Sequence, residues 1–111
     1  MAYNDITPMK LGQAAIGTST TTLYTVPPSK RAFVKNLDFV NTSAGSLTYR
    51  IFLVPSAGTA GTDNAIFYDF PIDSKENIQW TGTQILNEGD TIQVQSSGTG
   101  ITVTASGAEA V

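Results

Sequence analysis

Apolar residues along this chain recur at every second position in short runs, and clusters of Gly, Pro, Asn, Ser and Thr separate the runs. A period of two is that of a pleated strand, and no window of helical length shows the helical period between caps. Strands are therefore predicted over residues 9–16, 20–26, 31–41, 46–54 and 65–72, with short runs at 78–80 and 84–86 around Thr81-Gly82. The last pair, 91–95 and 101–105, brackets Ser96-Ser97-Gly98-Thr99-Gly100. It reads as a β-hairpin in which Ile92 and Val94 face Ile101 and Val103 across the ladder.

Some runs carry more detail. The 31–41 run has Phe33, Leu37 and Phe39 on one parity and Val34 and Val40 on the other. A bulge near Lys35-Asn36 brings Val34 onto the face of Leu37 and Phe39 and turns Lys35 outward. The 46–54 run alternates most cleanly: Leu47, Tyr49, Ile51 and Leu53 on a core face, Thr48, Arg50, Phe52 and Val54 on a partly wet one. Pro71 cannot donate to a ladder, so 65–72 is predicted to end there or to run along an edge. Residues 55–63 form one long loop of small residues, expected to be mobile.

About eight short antiparallel strands in 111 residues, with frequent turns, predict an all-β fold: a single β-sandwich or jelly-roll-like domain. The length suits one core and leaves no room for a second. Residues 1–10 lack strand periodicity until their end and read as an N-terminal arm, 11–107 as the sandwich and 108–111 as a C-terminal tail. No apolar run approaches the ~20 residues of a membrane-spanning helix. Met1-Ala2-Tyr3-Asn4-Asp5 has neither the basic nor the apolar region of a secretory signal, so synthesis in the cytoplasm and no membrane partner are expected.

Composition narrows the function. The chain contains no Cys and no His, which removes disulfides, thiolate nucleophiles, zinc–thiolate sites and the commonest general base near neutral pH. A non-enzymatic role without a cofactor is the expectation. The net charge of −3 is uneven: residues 1–55 hold five basic and two acidic side chains, residues 56–111 one basic and seven acidic. Such asymmetry favours contact between copies, unless a sandwich interleaves the two halves and disperses it.

Candidate chemistry is sparse. Asp63, Asp69, Asp73 and Asp90 are the only acidic grouping, and they lack the ligand-dense spacing of a calcium loop. Asp69 and Asp73 would serve glycoside hydrolysis only if a cleft held them at the separation that reaction needs. Asn87-Glu88-Gly89-Asp90 reads as a tight turn in which Gly89 supplies a positive φ and Asp90 bonds nearby backbone. Lys30-Arg31 and Lys35 are too few for a nucleic-acid groove on an acidic chain. The 56–63 loop has no Gly-Lys-Ser/Thr and opens no helix, which excludes a phosphate-binding loop. Trp80 with Tyr68 and Phe67 is the one aromatic set suited to a sugar platform or a protein interface, with plain core or strand-end packing as the first expectation and the interface second.

Several segments together resemble small virion proteins of tailed bacteriophages. They are Leu23-Tyr24-Thr25-Val26-Pro27, Lys30-Arg31-Ala32-Phe33-Val34-Lys35, Asn41-Thr42-Ser43-Ala44, Ile85-Leu86-Asn87-Glu88-Gly89-Asp90-Thr91-Ile92 and Ile101-Thr102-Val103-Thr104-Ala105-Ser106-Gly107. The resemblance covers residues 11 to 107, and its motifs are strand and turn signatures that carry no catalytic residues. It implies a β-sandwich decoration or tail-associated protein that binds a capsid or tail surface in multiple copies. The implied partners are itself, as a symmetric homo-oligomer with a trimer as first expectation, and other virion proteins; the implied location is the virion. Tyr3, Ile6 and Met9 in the arm, with Tyr68 and Trp80, are the candidate interaction residues. On this expectation, deleting residues 2–9 weakens assembly and spares the fold. The alternative is a carbohydrate-binding or receptor-binding module of a tail or fibre, with Trp80 and Tyr68 stacking on a surface glycan.

Overall fold

A computed structural model describes residues 6–110, and these form eight strands: β1 (Ile6–Ile16), β2 (Thr21–Thr25), β3 (Arg31–Asn41), β4 (Leu47–Val54), β5 (Ala65–Ile72), β6 (Asn77–Leu86), β7 (Thr91–Ser96) and β8 (Ile101–Ala110). They build two four-stranded antiparallel sheets in the orders β1-β8-β3-β6 and β2-β7-β4-β5. Among the described strands the chain changes sheet at every connection except β4 to β5. This order is that of an eight-stranded jelly roll.

The core lies between the sheets. Phe39 and Leu37 of β3, Tyr49 and Ile51 of β4, Ile92 and Val94 of β7, and Ile101 and Val103 of β8 are all buried there. The bulge expected in β3 is present: the register with both β6 and β8 slips between Val34 and Asn36. Ala32 and Val34 therefore share the inner face with Leu37 and Phe39, while Lys35 points outward and its Nζ donates to Thr83 Oγ1 at 2.7 Å.

Several expectations are corrected. The 91–95 and 101–105 runs do not form a hairpin: β7 and β8 lie in different sheets and meet face to face across the core. Alternation puts Ile92, Val94, Ile101 and Val103 on an inner face in either arrangement, so the pattern cannot tell the two apart. Residues 6–10, expected in the arm, belong to β1 and pair with Ser106–Ala110. Their side chains are all exposed, so no inside–outside alternation marks them as strand. Tyr3 and the rest of the arm lie outside the described residues. The tail beginning at 108 is likewise strand as far as Ala110, because β8 is a central strand held between β1 and β3. The 78–80 and 84–86 runs are one strand, β6, which passes Gly82 and Thr83 opposite the Lys35 bulge.

Phe52 and Val54, expected to be partly wet, are buried, yet they stand outside the core cluster. The loop that follows closes over the end of β4, with Gly58 against Val54. That loop is knit rather than loose. Gly58 N donates to Pro55 O at 2.8 Å, and Asn64 bonds both Gly61 N and Thr59 O. Asp90 ties it to the next turn by accepting from Ser56 N and Asn87 N, both at 2.9 Å, while Gly89 takes φ +84° as the turn requires.

Candidate functional site

The edge strand β5 departs most from regular geometry. Its register against β4 runs Tyr49↔Phe70, then Ile51↔Phe67, so Tyr68 and Asp69 together oppose Arg50. Two residues facing one define a bulge. Asp69 has φ +52°, a left-handed conformation that Asp adopts more readily than most residues and that costs about 1 kcal/mol or more.

The bulge sends side chains to both faces. Inward, Phe67 packs on Tyr49 with ring centroids 5.5 Å apart, and Tyr49 stacks on Phe39 at 4.1 Å; Phe70 touches the Tyr49 ring at 5.7 Å from the open edge and stays exposed. The Tyr49 hydroxyl is buried there and has no hydrogen-bond partner among the described residues. Burial, with the negative charge of Glu76 second, raises its pKa well above the usual phenol range. Outward, Arg50 is gripped twice: Nε donates to Asp69 Oδ1 at 2.6 Å and Nη2 to Oδ2 at 3.2 Å, while Cζ sits 4.1 Å over the Tyr68 ring. The bidentate geometry fixes the guanidinium plane, and the ring supports it from one side. The hydrogen bond from Arg50, with its charge, holds the Asp69 carboxyl below its ordinary range against a smaller opposing effect of burial.

Beside this pair lies a cavity of about 170 Å³ lined by Thr48, Arg50, Asp69, Gln95, Ser96 and Ser97. Its floor is the β4–β7 ladder, in which Arg50 pairs with Gln95. Thr48 and Ser97 lock its rim through two 2.9 Å bonds: Ser97 N donates to Thr48 O, and Thr48 N donates to Ser97 Oγ. Gln95 Nε2 donates to Thr18 O at 3.0 Å, so the amide is oriented.

A second polar cluster is structural in character. Glu109 of β8, 7% exposed, accepts from the Tyr24 hydroxyl of β2 and from Lys30 Nζ at 3.3 Å. Burial, then the Glu109 hydrogen bond and charge, raises the Tyr24 pKa above the usual phenol range. The cluster joins β2 of one sheet to β8 of the other.

The sequence candidates are scattered. Ile6 and Met9 lie on the edge strand β1, 48% and 38% exposed. Tyr68 is 48% exposed on β5, whereas Trp80 is on β6 in the other sheet, partly buried against the core with its ring over Gly82. The two rings therefore do not form one platform. Asp69 is committed to Arg50, and Asp73 sits in the β5–β6 turn, accepting from Ser46 Oγ at 3.2 Å. Among the described residues no three acidic side chains converge as a metal site would require. The reading from sequence missed Arg50, and it weighed Asp69 only as an acid. The available signal was an Asp between aromatic residues inside a strand run, where its propensity is poor.

No protein-family model matches the chain, and a search of curated proteins gives no match. Solved structures do match. One is the VP2 subviral particle of infectious bursal disease virus, at 12% identity and a TM-score of 0.56, covering 96% of this chain and 32% of that one. Another is the Gx strain of the same virus, at 16% identity, TM-score 0.50, and 95% and 32% coverage. A third is a Bacillus endospore appendage protein from a family of disulfide-linked pili, at 12% identity, TM-score 0.54, and 96% and 88% coverage. This chain thus spans about a third of the viral chains it matches. At these identities the likeness is one of fold: an all-β sandwich of eight antiparallel strands, shared along nearly its whole length with a viral particle protein and a pilus subunit.

Proposed function

We propose that this chain is a non-enzymatic structural protein of a virion, held in multiple copies on a capsid or tail surface. The observation that carries the reading is the match of nearly the whole jelly roll to a domain of a viral particle protein. The pilus likeness supports the same general role, a subunit repeated in an assembly. Disulfide linkage is not available to this chain, which has no Cys, so contacts between copies would be non-covalent.

Decoration of a capsid is the reading we favour over a tail position, with the chain itself and other virion proteins as partners. The exposed apolar side chains on edge strands, Ile6 and Met9 on β1 and Tyr68 and Phe70 on β5, are the proposed grips. Each contact is weak alone, and repetition over a lattice multiplies it.

Electron microscopy of native particles labelled with an antibody to the chain tests location, and sedimentation of the purified protein tests copy number. Labelled particles and a species of several copies are expected. Unlabelled particles together with a monomer at every concentration would overturn the proposal. Deleting residues 2–9 is no longer the clean test of the arm, since it removes paired residues of β1. Replacing Ile6 and Met9 by Ser leaves the strand in place and is the sharper variant.

A further inference from the structure

We infer that the cavity at the β5 bulge is a binding site for a neutral saccharide ring. The site adjoins Tyr68, one of the proposed assembly contacts, but ligand binding is read on the isolated chain and does not depend on assembly.

Charge sets the ligand class. Arg50 and Asp69 neutralise each other through two hydrogen bonds, so the cavity presents no net charge to attract an anion or a cation. What remains is a set of donors and acceptors that carries no net charge and is held on fixed frames. Among the described residues nothing bonds Arg50 Nη1, the Thr48 hydroxyl or Gln95 Oε1, while the Ser96 hydroxyl is spent on backbone carbonyls and Ser97 Oγ already accepts from Thr48 N. Closely spaced donors and acceptors with no net charge match vicinal hydroxyls. Every side chain that lines the cavity is polar, which favours a hydroxylated ligand over an apolar one.

Size sets the ligand's extent. A volume of about 170 Å³ lies below the few hundred Å³ typical of drug-sized pockets, so it suits one ring and not an oligosaccharide.

The backbone supports the assignment independently. A residue held at φ +52° within a strand is a cost that a regular ladder would avoid. Here the bulge is what sets both Tyr68 and Asp69 on the outer face against a single Arg50. Tyr68 acts as a positioning residue, fixing the guanidinium from the side.

The test is an NMR titration of the ¹⁵N-labelled chain with glucose, galactose and N-acetylglucosamine, with acetate as a charged control. Saturable shifts are expected at the Thr48, Arg50, Asp69, Gln95 and Ser97 amides for at least one sugar. A ligand this small predicts a dissociation constant of about 1–10 mM. Gln95→Ala and Thr48→Val should each weaken binding severalfold, with the rest of the spectrum unchanged to show that the fold is intact. Three results would each overturn the inference: no saturable shift at these amides with any sugar, acetate shifting them more strongly than the sugars, or unchanged affinity in both variants.

Discussion

The two buried phenols show how the same side chain is treated differently by its surroundings. The Tyr24 hydroxyl donates a hydrogen bond to the buried Glu109 carboxylate, whereas the Tyr49 ring packs against Phe39, Phe67 and Phe70 and its hydroxyl is buried without a partner among the described residues. A donor to a charged acceptor is worth more than a neutral pair, so Tyr24→Phe should lower stability by about 1–3 kcal/mol in urea unfolding. Tyr49→Phe removes an unpaired buried hydroxyl and keeps the ring, and should raise stability by about 1 kcal/mol in the same assay. A loss on Tyr49→Phe would mean that the hydroxyl has a partner. Much of this was open to view in the sequence as two aromatic residues on strand faces. Glu109 was not, because a single acidic residue near a chain end looks solvated until β8 is placed in the middle of a sheet.

Strands follow from local pattern, but partners do not. The β3 bulge was legible because Val34 and Leu37 fall on opposite parities while both are large and apolar. The β5 bulge was obscured, because Phe67, Tyr68 and Phe70 offer an aromatic residue to either face. Central strands also demand close approach. Gly107 of β8 sits where β3 crosses, and a Cβ there would overlap the Phe33 carbonyl oxygen. Gly107→Ala should therefore destabilise the fold by about 3 kcal/mol, seen as a lower urea midpoint, since backbone must move to admit the methyl group. At the outer edge, replacing Ile6 and Met9 by Ser should alter folding stability by about 0.5 kcal/mol or less, because both are already wet. The same change should reduce the number of copies retained on particles in a pelleting assay.

The two sheets interleave the halves of the chain. In the orders β1-β8-β3-β6 and β2-β7-β4-β5, each strand from the first half lies beside one from the second. The uneven charge along the sequence is thereby dispersed, and both salt bridges among the described residues, Lys30–Glu109 and Arg50–Asp69, join the basic half to the acidic half. Alkaline unfolding is a property of the whole molecule. An unfolded chain ionises its phenols near pH 10, while the folded chain holds Tyr24 and Tyr49 neutral to higher pH. Above pH 10 the unfolded state binds fewer protons than the native one, so stability is complete below pH 10 and falls as pH rises beyond it. Urea midpoints measured from pH 8 upward should show that decline, and the double variant Tyr24→Phe, Tyr49→Phe should show a shallower one.

By itself the sequence determined that the chain is all-β, that it has about eight strands around one core, where the β3 bulge falls, and that thiol and imidazole chemistry are absent. These are local properties, written in a period of two and in composition. Only the tertiary structure decided that β7 and β8 face each other across the core, that Trp80 and Tyr68 belong to different sheets, and that Thr48, Arg50, Asp69 and Gln95 share a cavity. The physical reason is that side-chain alternation specifies which face is buried, whereas the choice of neighbour is made by backbone pairing between segments far apart in the chain.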